Sequence, residues 1–151
     1  MPAAQNLVLL ALALLAGVAT AFQPGINARF ALVSGARVHG GVANFAVGLA
    51  CVLLATLVMR AGVPDHARLA QGPWWMWLGG VLGAFFVLTA IVIVPKVGAA
   101  NYMAAAIAGQ LIASALIDHF GLMGLAAHAF TPGRALGIAL IAAGVACVRW
   151  L

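Results

Sequence analysis

The sequence predicts an all-α integral membrane protein: one domain over residues 1–151, built from five transmembrane helices with no sheet and no soluble part. Three observations predict it. Of the residues, 66% are hydrophobic and 6% charged, with a mean hydropathy of +1.19, whereas a soluble domain carries about 25% charged residues. Five apolar stretches, each near the roughly 20 residues that a span needs, are separated by Pro, Gly or charge. Seven bases stand against two acids, a net charge of +5. These bases are scattered singly, so nucleic acid is not an expected partner. Cys51 and Cys147 both lie inside apolar runs and read as small packing residues, not a disulfide pair.

The first span is expected over about 5–33. It begins near Gln5 and continues past Phe22 to Val33, kinked near Pro24, because Ala28–Val33 still suits a helix. Leu7–Val18 followed by Ala19-Thr20-Ala21 has the outline of a signal peptide, but the residues before it carry no Lys or Arg. It is expected to stay as a span. At about 100° per residue, Thr20, Gln23 and Asn27 share one stripe, and Arg29 points to the other side. Uncharged polar groups on a membrane helix cost free energy unless they meet a partner, a ligand or water. The stripe is therefore the leading candidate binding surface; the alternative is a plain hydrogen bond to a neighbouring helix.

Ser34-Gly35-Ala36-Arg37 reads as a tight turn into a second span, about 38–59. There Gly41, Asn44, Gly48, Cys51 and Ala55 recur at three- and four-residue steps, a seam of small residues holding one amide. Such seams let membrane helices approach closely. Asn44 is read first as a cross-helix hydrogen-bonder and second as part of the binding set.

Ala61–Gly72 holds Pro64, Asp65, His66 and Arg68 and reads as a solvated loop. Pro73 opens a third span, about 73–94, where its missing N–H costs nothing. Trp74, Trp75 and Trp77 follow at once, as an interfacial aromatic belt requires; a cage for a cation is the weaker alternative. Gly79 and Gly83 offer a packing face, and the span is expected to end before Pro95-Lys96.

The fourth span, about 98–117, places Gln110, Ser114 and Asp118 in one sector, with Asn101 roughly opposite. Gln110 and Ser114 join the candidate binding residues. Asp118 is the only acid near a span and so the only obvious carboxylate for proton coupling; otherwise it is a helix-end residue beside His119. After a loop over Gly121–Gly133 comes the fifth span, about 134–151. It carries Gly137 and Gly144 one heptad apart, with Ala143 nearby, and no polar side chain between its terminal arginines. It is assigned to a dimer interface.

Five spans put the termini on opposite sides. One side then holds Arg60, Arg68 and Arg134; the other holds Arg29, Arg37, Lys96 and Arg149. Orientation follows the excess of Lys and Arg on the cytoplasmic side. Three against four is almost no instruction, which invites insertion both ways. No nucleophile–base pair, metal-ligand spacing, cofactor motif or phosphate-binding loop is present, so neither an enzyme nor a cofactor is expected.

The stretches Gln23-x-Gly25-x-Asn27-Ala28-Arg29, Pro73-Trp74-Trp75-x-Trp77-x-Gly79-Gly80, Pro95-x-x-Gly98-Ala99-Ala100, Ala108-Gly109-Gln110 and Asp118-His119-Phe120-Gly121 together resemble the YdcZ-like family. These are bacterial inner-membrane proteins within the drug/metabolite transporter superfamily. The resemblance covers nearly the whole chain. It implies a five-helix unit that works in pairs: as an antiparallel homodimer of ten helices, as paired genes, or as fused chains. The charge balance suits the first. Small multidrug-resistance relatives in that superfamily place a glutamate in the middle of their first helix. This chain has Thr20, Gln23 and Asn27 instead, which argues against proton-coupled export of organic cations through that position. The expected function is transport of a small solute by a secondary transporter or facilitator, the alternative being a structural or accessory subunit. The expected partners are a second copy, the bilayer and that solute.

Overall fold

The computed structural model describes residues 3–150, with side chains from Gln5 to Val148. The side chain of Arg149 and the residue Leu151, both used above, lie outside that range. Six helices follow in order: α1 Ala3–Val33, α2 Arg37–Val58, α3 His66–Ala70, α4 Leu78–Val97, α5 Ala99–Phe120 and α6 Pro132–Trp150. Short 3₁₀ turns lie at Trp74–Trp77 and Leu122–Gly124. Among the described residues there is no strand. Among the described residues four helices are long and apolar enough to cross a membrane: Gln5–Val33, Arg37–Val58, Trp74–Val97 and Ala99–Phe120. The apolar part of α6, Pro132–Val148, is shorter.

Helix α1 is continuous through Pro24, which is almost wholly buried. Proline has no N–H for the carbonyl of Thr20, so the helix gives up one hydrogen bond and carries on to Val33. Gly35 (φ 81) then makes the turn into α2. At the far end of α2 the Ala61 N–H donates to the Thr56 carbonyl and the Arg60 N–H to that of Leu57, both at 3.1 Å. This is a Schellman cap with arginine, at φ 52, in the left-handed position that glycine usually takes. The expected 61–72 loop contains the short α3, capped by Asp65, whose Oδ1 accepts from the Ala67 N–H at 2.9 Å.

Several boundaries differ from expectation, the end of α5 at Phe120 instead of about 117 among them, and two have plain physical reasons. Helix α4 does not stop before Pro95 but runs to Val97, because a proline in the last turn removes only one donor. Gly98 (φ 85, ψ 156) makes the break, a backbone region open almost only to glycine. Helix α6 starts at Pro132, two residues before the expected Arg134. Thr131 caps it, accepting from the Arg134 N–H at 3.3 Å, and Pro132 sits at the first helical position.

The contacts fall into two compact units, Met1–Lys96 and Val97–Leu151. In the first, α1 and α2 pack as a hairpin and α4 lies on it through side chains: Ala31, Val87 and Ile91 form a buried cluster with Phe86 against it. The pivot is Gly40. A Cβ there would overlap the Asn27 carbonyl oxygen and lie 3.2 Å from Ile91 Cδ1. At Gly41 it would come within 3.1 Å of Leu88 Cδ2. Two glycines thus let α2 meet both neighbours. Of the expected seam, Gly41 is buried and Asn44 half-buried, while Gly48, Cys51 and Ala55 are exposed. Both cysteines are free thiols. Of the expected packing face on α4, Gly83 lies near the Phe45 ring and Gly79 meets nothing within 4 Å.

In the second unit α5 packs on α6, and the 121–131 connection folds back on the end of α5. The His128 N–H donates to the Asp118 carbonyl at 2.7 Å, and the Phe130 N–H to His119 Nδ1 at 3.2 Å.

Candidate functional site

The polar stripe of α1 meets the amide of α2. Gln23 Nε2 donates to Asn44 Oδ1 at 2.8 Å, and Asn27 Nδ2 donates to the same oxygen at 3.3 Å. Asn27 is 6% exposed and Gln23 half-buried. By helical rise, Asn27 and Asn44 each lie roughly 10 Å in from the α1–α2 turn, below headgroup depth. An amide on a membrane span costs free energy unless it is paired, which is why these find one another. Thr20 is exposed, and its hydroxyl donates back to the Ala16 carbonyl at 2.7 Å.

This cluster floors a cleft of about 490 Å³ on one face of the α1/α2 hairpin. Thr20, Gln23, Asn27 and Asn44 line it with Ile26, Phe30 and Val47. No charged residue is among the lining residues. Arg29 is exposed and outside it. With Asn44 Oδ1 accepting twice, its Nδ2, the side-chain oxygens of Gln23 and Asn27 and the second N–H of each of their amides are left to offer a solute.

The candidates on α5 are arranged differently. Ser114 and Asp118 line a second cleft, of about 370 Å³, between α5 and α6. Arg134 and Gly137 line it too, and Arg134 Nη1 reaches Asp118 Oδ2 at 3.2 Å. Gln110 is exposed and lines neither cleft. Ala143 and Gly144 are exposed, while Gly137 is half-buried. Trp74, Trp75 and Trp77 are all exposed where the chain enters α4, as a belt would be.

Sequence reasoning missed two features. Gly40, which lets Asn27 and Asn44 approach, stood one residue outside the seam; its signal was the Gly40-Gly41 pair. Asn101 was set aside as opposite the α5 sector. Its Nδ2 donates to the Val97 carbonyl at 2.7 Å, and its Oδ1 is buried without a hydrogen-bond partner.

A family model described as "Putative inner membrane exporter, YdcZ" matches residues 8–147. The chain is 29% identical over 136 residues to "Inner membrane protein YdcZ" of Escherichia coli (strain K12), covering 89% of this chain and 90% of that one. No solved structure matches. The family description is of a membrane exporter and names no enzyme activity. The chain is a multi-pass inner membrane protein and belongs to the YdcZ family.

Proposed function

We propose that the protein is a secondary transporter or facilitator of a small solute, with the Gln23–Asn27–Asn44 cluster at its binding site. The observation that carries this reading is the set of amides below headgroup depth, opening onto an uncharged cleft. The description of the matching family model as an exporter points the same way. A solute held there would be small and hydrogen-bonding, seated between the amides and the apolar walls.

The working form we propose is an antiparallel homodimer of five-span units exposing the site alternately to each side. At 19 residues α6 is about 28 Å long, near the thickness of the hydrocarbon core, so it counts as the fifth span. Gln110, near the middle of α5, is exposed and would cost free energy in lipid. A second copy related by a two-fold axis in the membrane plane would cover it and present an identical α1 stripe. The exposed Ala143 and Gly144 leave that part of α6 free to pack on its own copy, while Gly137, expected in the same interface, is half-buried in the cleft against α5. In this reading Ser114 also faces the path. Asp118 is available for proton coupling only if its pair with Arg134 opens.

A second reading has its own support. The three amides bond one another across α1 and α2, as a purely structural contact would, which supports a non-transporting membrane subunit. Solute flux into vesicles containing only this protein separates the two. We expect flux, and its loss in Gln23→Ala and Asn27→Ala; unchanged flux in both variants makes the stripe structural. Two lysines added to the 61–72 loop should lock one orientation and abolish activity, and a variant locked the other way should restore it. Full activity from one locked orientation rules out the antiparallel pair.

A further inference from the structure

A third cleft, of about 300 Å³, lies in the first unit where the α1–α2 turn meets the end of α4. Its walls include Leu32, Ile91 and Val92, and two of its lining residues are cationic: Arg37 and Lys96. Arg37 is the first residue of α2 and Lys96 the second-last of α4, so both stand at a span end, at headgroup depth. No acid lines this cleft. The chain has two acids in all, and each is committed elsewhere: Asp65 to Arg68 at 3.4 Å, Asp118 to Arg134 at 3.2 Å. Arg37 and Lys96 therefore line one cleft, and among the described residues no carboxylate side chain is there to neutralise them.

The backbone adds to the same field. Helix α2 begins after Ala36, which has no side chain to cap it. The one nearby hydroxyl, Ser34, donates to the Ala31 carbonyl at 3.4 Å. In the first turn of α2 the His39 N–H donates to the Ala36 carbonyl at 3.1 Å, while those of Arg37 and Val38 have no side-chain acceptor, and such an N-terminus favours an anion. Two bases and apolar walls at a membrane boundary match a phosphodiester carrying acyl chains. The phosphate would take Arg37 and Lys96, and the chains would lie against Leu32, Ile91 and Val92.

We propose that this cleft binds the phosphate headgroup of an anionic phospholipid. The site is independent of the transport reading, since it shares none of the residues of the amide cleft. Binding is measured on the purified full chain in detergent micelles, where membrane orientation plays no part, by native mass spectrometry against short-chain phosphatidylglycerol, phosphatidylcholine and inorganic phosphate. Phosphatidylglycerol is expected to bind about tenfold or more tightly than phosphatidylcholine, from two bases near one headgroup. That preference should vanish in Arg37→Gln/Lys96→Gln, persist in Arg37→Lys/Lys96→Arg, and persist in Arg60→Gln, which removes a base outside the cleft. If the double glutamine variant does not fold, the two single variants are each expected to lose part of the preference. A preference unchanged in the glutamine variants overturns the proposal. So does inorganic phosphate that displaces phosphatidylglycerol at comparable concentration, which would make the occupant a free anion.

Discussion

The α1/α2 and α5/α6 hairpins are held by opposite means. In the first, the turn is short, Gly40 brings the backbones together, and neutral amides bond across the helices at depth. In the second, a longer connection folds back on α5, and the cross-helix polar contact is a half-exposed ion pair at the helix ends. The difference follows the dielectric. A charge can stay at the interface, where water solvates it, but not at depth; an amide is tolerated at depth if it is paired. The first hairpin can therefore offer hydrogen bonds to a solute inside the membrane, and the second is fastened from the edge.

The largest test of this contrast is Gly40→Ala against Gly109→Ala. At Gly40 the new methyl meets the Asn27 backbone, which moves only if α1 moves; at Gly109 nothing lies within 4 Å. Overpacking of this kind costs about 1–3 kcal/mol. Thermal unfolding of the purified protein should show a clear fall in Tm for Gly40→Ala. Gly109→Ala should stay within about 0.5 kcal/mol of wild type. Equal shifts would mean that the hairpins are packed alike.

Next in size is Asn44→Ala. It leaves Gln23 Nε2 and Asn27 Nδ2 without their shared acceptor, at an expected cost of about 1–2 kcal/mol. Replacing Gln23 and Asn44 together by leucine should cost less than the sum of the two single changes, since no paired donor is then orphaned apart from Asn27. Additive losses in the double-mutant cycle would show that the amides act separately.

Much of this was readable from one sequence, and what was not has a physical reason. The stripe of Gln23 and Asn27, and Asn44 as a residue that hydrogen-bonds across helices, follow from helical period and from the cost of unpaired amides in lipid; that the two meet, with Asn44 as the acceptor, does not. The seam of α2 named Gly41 and Asn44 but also Gly48, Cys51 and Ala55, which are exposed. A period identifies a face; it does not say where along that face a partner crosses. Pro95 was taken as a stop because proline ends helices in water more often than in a span, where its neighbours can tolerate it. Thr131-Pro132 was a cap signal that the loop reading passed over. The fold-back of His128 and Phe130 onto the end of α5 has no periodic signature, because such bonds join irregular backbone to a helix end.

The smallest expected effect concerns the edge of the second hairpin. Asp118 and Arg134 are 36% and 40% exposed at the side chain, so their attraction is screened and its net worth is about 0.2–1 kcal/mol. Asp118→Asn should therefore lower Tm only slightly, and raising the salt should shrink the difference further. The contacts made by the Asp118 carbonyl and by His119 do not depend on the carboxylate, so the His128 and Phe130 amides should keep their protection from hydrogen exchange. The same variant bears on coupling. A carboxylate that carries a proton through the cycle must release Arg134 each time it is protonated, and an amide in its place would uncouple flux from the proton gradient. A pair seated at the helix ends is placed to fasten the connection instead. Flux through Asp118→Asn is accordingly expected to respond to an imposed pH gradient as wild type does. Loss of that response, with Tm nearly unchanged, would move Asp118 from the fastening of α5 and α6 to the transport pathway.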